Sequence, residues 1–367
     1  MRIVLLADSI DLQSAGIHVY TLNMVRSLEE SGRHEIFCVR TGTREDLVFR
    51  NDVRVKALFP FLKNDPVRIF FKIPRAVQQL KPDWVIETAH FGPFNLPRRI
   101  KRATVIHDLT PVKYPGWHHR FSALLQKMFF PSIFRHASLL IVNSENTRND
   151  LLTLYPRTRK KITRIYPGID SFYETDKEAI LSEKEAFFLT TATIEPRKNL
   201  PALLEAYRIF REQSKLTHKL VICGGKGWKS KKFYRQLASH PYRSDIDMKG
   251  YVSKKELKEL YNKTAGFIYP SLYEGFGFPV AEAMGCGAPC IVSRVSSLTE
   301  VGDDAVLYFN PLSPVELALC MTQLTDSKAL QQELTEKGFQ QAQAFCWKNY
   351  ARELEEQLEL LLMQPTK

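Results

Sequence analysis

The chain has 367 residues, with 52 Lys and Arg against 40 Asp and Glu, a formal net charge of +12. A single core stops growing at roughly 250–300 residues, so this length favours two domains. A hydrophobic content of 44% with 25% charged residues excludes a disordered or collagen-like chain. The excess charge is unevenly placed: residues 1–170 hold 27 basic and 15 acidic side chains, and residues 171–367 hold 25 of each.

The opening MRIVLLADSIDLQSAG has an apolar run of five residues, Ile3 to Ala7, before Asp8 and Asp11. That is too short and too acidic for a signal peptide or a membrane span, and no run of about 18 apolar residues follows elsewhere. The six cysteines are scattered and form no C-x₂-C pair, which argues against a disulfide framework or a structural zinc and fits a reducing cytoplasm.

Short β-branched runs then alternate with longer amphipathic stretches. They lie at 2–7, 36–39, 53–58, 83–88, 103–108 and 139–144, and again at 187–193, 219–225, 246–251, 266–271, 290–295 and 305–310. Such alternation predicts βαβ units around two parallel sheets, an α/β fold. Pro167-Gly168 interrupts the pattern and marks the connection, giving domains at 1–168 and 169–347. The last stretch, 348–367, spaces Tyr350, Leu354, Leu358 and Leu361 on one helical face, which either caps the second domain or completes the first.

The most informative segment is GFIYPSLYEGFGFPVAEAMGCGAP at 266–289: an apolar strand, a loop with Glu274, Gly275 and Gly277, and a helix expected to start near Pro279 with Glu282 in its first turn. Proline suits a helix's first turn because its missing N–H is not needed there. A helix N-terminus and close-packed glycines suit a phosphate. Two carboxylates beside such a site suit a ligand that also carries hydroxyls, since carboxylates accept hydrogen bonds from polyols. Taken singly, each Glu also fits a bland role, dipole complement or exposed loop residue.

The pattern E-G-F-G-F-P-x-x-E after an apolar strand resembles the E-x₇-E signature of the retaining glycosyltransferases of family 4. This resemblance implies the GT-B fold, two Rossmann-like domains with parallel sheets facing across a cleft. It has a second anchor in TTATIEPRKNLPALLEAY at 190–207. There it implies that Lys198, with Arg197 as a neighbour, binds the diphosphate of a nucleotide sugar. Many family members place an Arg six residues before this Lys; here that residue is Ala192. The implied roles continue through the chain. Glu282 accepts from ribose hydroxyls and Glu274 from donor-sugar hydroxyls, and the loop at Gly277, Phe278 and Pro279 holds the diphosphate. Val252 lies where backbone meets the base. His107, after the strand ATVIHD, faces the donor sugar; Asp108 beside it holds a loop or takes part in acceptor binding. Gly16, with Ala15 where the family often has a second glycine, approaches donor phosphate or acceptor.

The motif pair looks most like mannosyl- or rhamnosyltransferases of bacterial surface-polysaccharide assembly. The expectation is therefore a retaining, metal-independent hexosyltransferase that needs no cofactor. Its donor would be a nucleotide sugar, GDP-mannose first and a UDP- or dTDP-sugar next. Its acceptor would be a glycan or a polyprenyl-linked glycolipid in lipopolysaccharide or exopolysaccharide synthesis. Two alternatives remain at this level, a non-hydrolysing sugar-nucleotide epimerase and a non-catalytic basic protein that binds lipid or nucleic acid.

The basic half concentrates charge and aromatics at 61–75 and at 117–136, where Phe121, Leu125, Phe129 and Phe130 have near-helical spacing with Arg120 and Lys127 among them. Either these form a core helix with solvated charges, or a peripheral contact with anionic membrane. No zinc module or RNA-binding signature supports nucleic acid as a partner.

Overall fold

Runs of Val, Ile and Leu without polar alternation satisfy their backbone and bury both faces only inside a parallel sheet covered by helices on each side. In the computed structural model, which describes residues 1–12, 15–57, 65, 67–89, 95–118, 120–173 and 184–363, the chain divides into two compact units. The first is Met1–Gly168 with Cys346–Lys367; the second is Ile169–Phe345, ending two residues before the boundary expected from sequence.

The first unit holds β1 (Arg2–Leu6), β2 (Glu35–Arg40), β3 (Asp52–Arg54), β4 (Trp84–Glu87), β5 (Lys101–Ile106), β6 (Leu139–Val142) and β7 (Ile162–Arg164). They form one sheet in the order β3-β2-β1-β4-β5-β6-β7, all pairs parallel. The second unit holds β8 (Glu185–Thr191), β9 (Lys219–Cys223), β10 (Ile246–Gly250), β11 (Thr264–Tyr269), β12 (Cys290–Ser293) and β13 (Val306–Phe309). Their order is β10-β9-β8-β11-β12-β13, again all parallel. The twelve expected runs each overlap a strand. The thirteenth, β7, has only three residues, ITR, after the basic turn Pro156–Lys161, so it offers no apolar run to read.

In both sheets the strand order reverses once, between β1 and β4 and between β8 and β11. Crossovers on either side of such a reversal cover opposite faces, which opens a crevice at the carboxyl ends of the two central strands.

The helix at Trp347–Met363 belongs to the first unit. Tyr350, Leu354 and Leu358 of its expected face are buried and Leu361 is half-buried. The Tyr350 hydroxyl meets that of Tyr20, on the helix Ala15–Ser31, at 2.6 Å.

Two helices, Ile73–Leu80 and Arg120–His136, share one face of the first sheet. The former packs with Val4 and Val85, the latter with Ile106, Leu140 and Val142. The register Val4↔Val85↔Arg102 and Thr104↔Leu140 puts these residues on the same side. The helix Arg120–His136 runs through Pro131. Of its expected face, Phe130 is fully buried and Leu125 and Phe129 are half-buried, so this face supplies core; the side chain of Phe121 lies outside the described residues.

A buried polar cluster sits on that same side of the sheet. Glu87 is fully buried and accepts from Arg102 Nε at 2.8 Å and Thr104 Oγ1 at 2.8 Å. Burial pushes the Glu87 carboxyl up, and the Arg102 charge opposes it. Removing one partner of a buried pair leaves an uncompensated charge, a cost of about 3–5 kcal/mol. Arg102→Met is therefore expected to lower the urea midpoint sharply, while Glu87→Gln with Arg102→Met together should recover much of that loss.

Candidate active site

The reversal between β8 and β11 brings two loops together. After β8 the chain passes Ala192 and Ile194, makes a short turn at Pro196–Lys198, reverses at Asn199 with φ 53°, and enters the helix Leu200–Gln213. After β11 it runs through Tyr273 to Gly277 and enters the helix Phe278–Gly285. Leu272 N–H donates to Arg197 O at 2.8 Å and ties the loops.

Glu274 is the centre of this junction. Its Oε1 accepts from Lys198 Nζ at 2.6 Å and its Oε2 from Arg197 Nη1 at 2.5 Å. Lys198 Nζ also meets the Tyr269 hydroxyl at 2.6 Å. The Arg197 guanidinium is further held by Tyr273 O at 3.0 Å and by Glu195 Oε1, which accepts from Nη2 at 2.9 Å. All four charged groups are substantially buried, with side-chain exposures of 2% for Glu195, 9% for Glu274, 11% for Lys198 and 19% for Arg197. Burial alone would push the Glu274 carboxyl up, but the Arg197 and Lys198 charges outweigh it and bring it down to about 2. Burial and the neighbouring Arg197 lower Lys198, against the pull of Glu274. Glu195 is raised by burial, and its Oε2 is buried with no hydrogen-bond partner among the described residues.

Two carboxylates and two cations thus balance in a small volume. A ligand that brought its own negative charge to Lys198 would displace Glu274, whose carboxylate then needs other donors, because a buried charge stripped of a partner is costly.

The loop behind Glu274 is fixed by serines that the sequence does not single out. Glu274 N–H donates to Ser296 Oγ at 2.9 Å, and Ser297 Oγ donates to Glu274 O and Phe276 O, both at 2.9 Å. A Ser pair after a strand reads in sequence only as a helix cap. Glu195 and Tyr269 are further members that sequence reasoning misses, being a residue before a proline and the last residue of an apolar strand.

Gly277 is the N-cap of the helix Phe278–Gly285 with φ 111°, and a Cβ there would lie 2.6 Å from Leu298 Cδ2. Phe278 and Pro279 follow as the first helical residues, half-buried. Glu282 is the fifth residue of this helix, so it lies in the second turn and not the first, a correction to the sequence expectation: the helix begins one residue earlier than Pro279. Burial and the Asp170 charge push the Glu282 carboxyl up to about 7, with Lys254 opposing. Asp170 itself pairs with Lys254 at 2.5 Å.

At the neighbouring strand ends, Gly224, with φ 133°, lets the turn after β9 approach β8 closely; a Cβ there would sit 2.0 Å from Ala192 O. Gly224 N–H donates to Gly250 O at 2.7 Å, and Val252 follows, half-buried, before the helix Lys254–Lys263.

In the first unit, His107 directly follows β5. Its Nε2 lies 2.8 Å from Thr88 O, a carbonyl that can only accept, so the neutral ring carries its proton on Nε2. Tyr20 meets the ring edge-on at 4.8 Å. Asp108 Oδ1 accepts from Thr110 N at 2.9 Å and Thr110 Oγ1 at 2.6 Å, closing a turn. Gly16 is exposed in the helix Ala15–Ser31, with open space where a Cβ would stand; the side chain of Ala15 lies outside the described residues. No disulfide joins any of the six cysteines. No helix among the described residues is long and apolar enough to cross a membrane.

Known proteins resemble this chain over most of its length. Residues 14–171 match the model for Glycosyltransferase Family 4 and residues 172–341 that for Glycosyl transferases group 1. O-antigen chain mannosyltransferase B of Escherichia coli is 27% identical, over 95% of this chain and 97% of its own length. O-antigen chain mannosyltransferase RfbU of Salmonella typhimurium is also 27% identical, over 59% of this chain and 58% of its own. Among solved structures, sucrose-phosphate synthase from Thermosynechococcus elongatus superposes with a TM-score of 0.78 at 16% identity, covering 99% of both chains. Anabaena HepE in complex with UDP and glucose does so with 0.76 at 16% identity, covering 98% of this chain and 99% of its own.

Two substitutions probe the junction's support. Gly277→Ala forces a left-handed residue against Leu298 and is expected to cost about 1–3 kcal/mol in urea unfolding. Because the Glu282 carboxyl is raised in the fold, its contribution is complete below its ordinary value near 4.5 and is lost as pH rises through about 7. Glu282→Gln should therefore be more stable than the parent at about pH 8, with the difference vanishing at about pH 5 in thermal melts.

Proposed function

We propose, from the premise that the chain belongs to the family 4 glycosyltransferases and has their GT-B fold, that it moves a hexose from a nucleotide sugar to a glycan or lipid-linked acceptor of surface-polysaccharide synthesis. The reaction proceeds with retention and without a metal ion. Mannose carried by GDP is the first choice of donor, supported by the names of the O-antigen relatives; a UDP- or dTDP-sugar is the next.

The observation that carries this reading is the sharing of Glu274 between Lys198 and Arg197 beside the helix that Gly277 caps. A departing nucleoside diphosphate gains negative charge as the bond to the anomeric carbon breaks, and preorganised cations and backbone donors stabilise it. Lys198 takes that charge, together with the loop at Gly277, Phe278 and Pro279. Arg197 commits its guanidinium to Glu195, Tyr273 O and Glu274. It therefore serves to position Glu274, and Lys198 is the diphosphate's cation despite Ala192. Glu274, freed from Lys198, accepts from hydroxyls of the donor sugar. Glu282 accepts from the ribose, and the backbone at Val252 meets the base. His107 and Gly16, in the first unit, take the roles of their motifs, a donor-sugar hydroxyl and the donor phosphate or acceptor. With its proton on Nε2, the neutral ring of His107 has Nδ1 as its acceptor atom.

The acceptor hydroxyl attacks the anomeric carbon from the side on which the diphosphate leaves. One carbon–oxygen bond forms as the other breaks, and the hydroxyl proton passes to the departing phosphate oxygen.

Melting shifts with GDP, UDP, ADP and dTDP, followed by transfer assays with the matching sugars, identify the donor. Glu274→Gln keeps the shape of the side chain and is expected to lower transfer at least ~100-fold, the scale of one lost transition-state contact; full activity in this variant contradicts the assignment. Ribose hydroxyls favour the ionised form of Glu282, so nucleotide affinity should rise with pH through about 7 and be flat in Glu282→Gln.

A further inference from the structure

We propose that Lys226, on the loop after β9, is the second cation of the donor site and pairs with the nucleotide sugar's diphosphate in place of the Arg that the motif leads one to expect at Ala192. This deepens the transferase reading and rests on it.

The charges at the junction create the need. Arg197 and Lys198 are balanced by Glu195 and Glu274, so the four groups sum to zero. A nucleoside diphosphate brings about two to three negative charges. Glu274, still held by Arg197, keeps its own charge when Lys198 turns to the ligand. Lys198 alone therefore leaves the filled site with a surplus of negative charge, in a place where burial makes such a surplus costly. The N-terminus of a helix offsets only about half a charge. A further cation is called for, and it has to be one that no carboxylate already neutralises.

The other cations at the carboxyl edge of the second sheet are committed. Lys249 lies 3.5 Å from Glu256 and 3.8 Å from Asp247, and Lys254 pairs with Asp170 at 2.5 Å. The Arg294 guanidinium, after β12, lies over the Tyr308 ring at 4.8 Å. Lys229 has a partner of its own. Lys226 is exposed, and its side chain forms no hydrogen bond or ion pair with any described residue.

The backbone of Lys226 is nonetheless held in place. Past the end of β9 the chain keeps running beside the segment that leaves β8: Ala192 N–H donates to Cys223 O at 2.9 Å, Ile194 N–H to Gly225 O at 3.1 Å, and Lys226 forms a parallel bridge with Ile194. Bridged residues on neighbouring strands lie about 5 Å apart, and Ile194 directly precedes Glu195 in the turn that carries Lys198. Two glycines permit this approach. A Cβ on Gly224 would lie 2.0 Å from Ala192 O, and one on Gly227 would lie 2.7 Å from both Ile194 O and Thr193 Cγ2. A side chain at either position would push the loop, and Lys226 with it, off the strand end.

Lys226 is thus fixed at its backbone and unattached at its tip. That combination suits an ammonium that meets a ligand better than one that holds the loop. A lysine's flexible stem carries three rotatable donors, which fit the spread oxygens of a diphosphate without a planar match. The bridge also gives a reason why Ala192 is tolerated: 192 and 194 both lie against the β9 loop, so a cation on that loop serves the same strand end from the neighbouring strand. The competing accounts are a solvated lysine with no ligand, and diffuse attraction by the basic stretch that runs on through Lys231 and Lys232.

The test is calorimetric titration of the full chain with GDP, or whichever of UDP, ADP and dTDP the melting screen selects, beside saturation-transfer NMR with the matching phosphate-free nucleoside. Lys226→Met is expected to bind the diphosphate about 10-fold more weakly, the scale of one charge-assisted hydrogen bond, with nucleoside affinity and melting temperature unchanged. Lys226→Arg, which keeps the charge, should recover most of that affinity. Lys232→Met removes the same charge from the exposed face of the helix Lys231–Ala238 and should bind at the parental level. Raising salt should narrow the gap between the parent and Lys226→Met. Parental diphosphate affinity in Lys226→Met, an equal loss in Lys232→Met, or an equal loss for the nucleoside would each overturn the proposal while leaving the donor site to Lys198. A parent that binds none of the four diphosphates would overturn the transferase reading and this inference together.

Discussion

The second unit is organised around one electrostatic constraint: Glu274 is buried, and its charge is kept only because Lys198 and Arg197 each hold one of its oxygens. An isolated carboxylate at that depth would protonate, and an isolated lysine would lose its proton. The pieces come from two loops that are distant in sequence. They meet only because β8 and β11 are neighbours at the one place where the strand order reverses. The loops' remaining features serve that meeting: Gly277 makes the turn, Ser296 and Ser297 fix the backbone of Glu274, and Glu195 aims Arg197.

This arrangement gives a physical reason for a family motif that departs from its usual form. Where the resemblance leads one to expect an Arg at the end of the strand, this chain has Ala192, whose carbonyl would lie 2.0 Å from a Cβ on Gly224. The junction nonetheless contains a guanidinium, that of Arg197, bound to protein on three sides. The proposed division of labour follows: one cation exchanges partners on donor binding while the other keeps Glu274 in place. The charge asymmetry of the chain falls outside this balanced site. Its excess lies in the first half of the sequence.

Much of this is legible in the sequence, and the gaps have causes. Buried parallel strands advertise themselves as apolar runs, so the twelve other strands are readable, while β7 is hidden by its three residues and basic flank. Glu274, Lys198 and Glu282 are readable because their motif spacing is rare. Glu195 and Tyr269 are not, since their significance is a distance to side chains about 70–80 positions away, except for the neighbouring Arg197, and sequence spacing carries no such distance. The turn that holds Glu282 is ambiguous in sequence because proline is tolerated throughout a helix's first turn; here Pro279 occupies the second helical position, which moves Glu282 one residue further in, to the start of the second turn. On the helix Arg120–His136, hydrophobicity shows that one face is buried but not which, because aromatic and aliphatic residues lie on both sides.

The central claim is that Lys198 leaves Glu274 to hold the donor's diphosphate. Calorimetric titration with the nucleoside diphosphate that the melting screen selects tests it most directly. Glu274→Gln removes the competitor for Lys198 and is predicted to bind as tightly as the parent or more so, whereas Glu274→Gln/Lys198→Met is predicted to bind at least ~10-fold more weakly, the scale of one charge-assisted hydrogen bond. Parental affinity in the double variant would contradict the account.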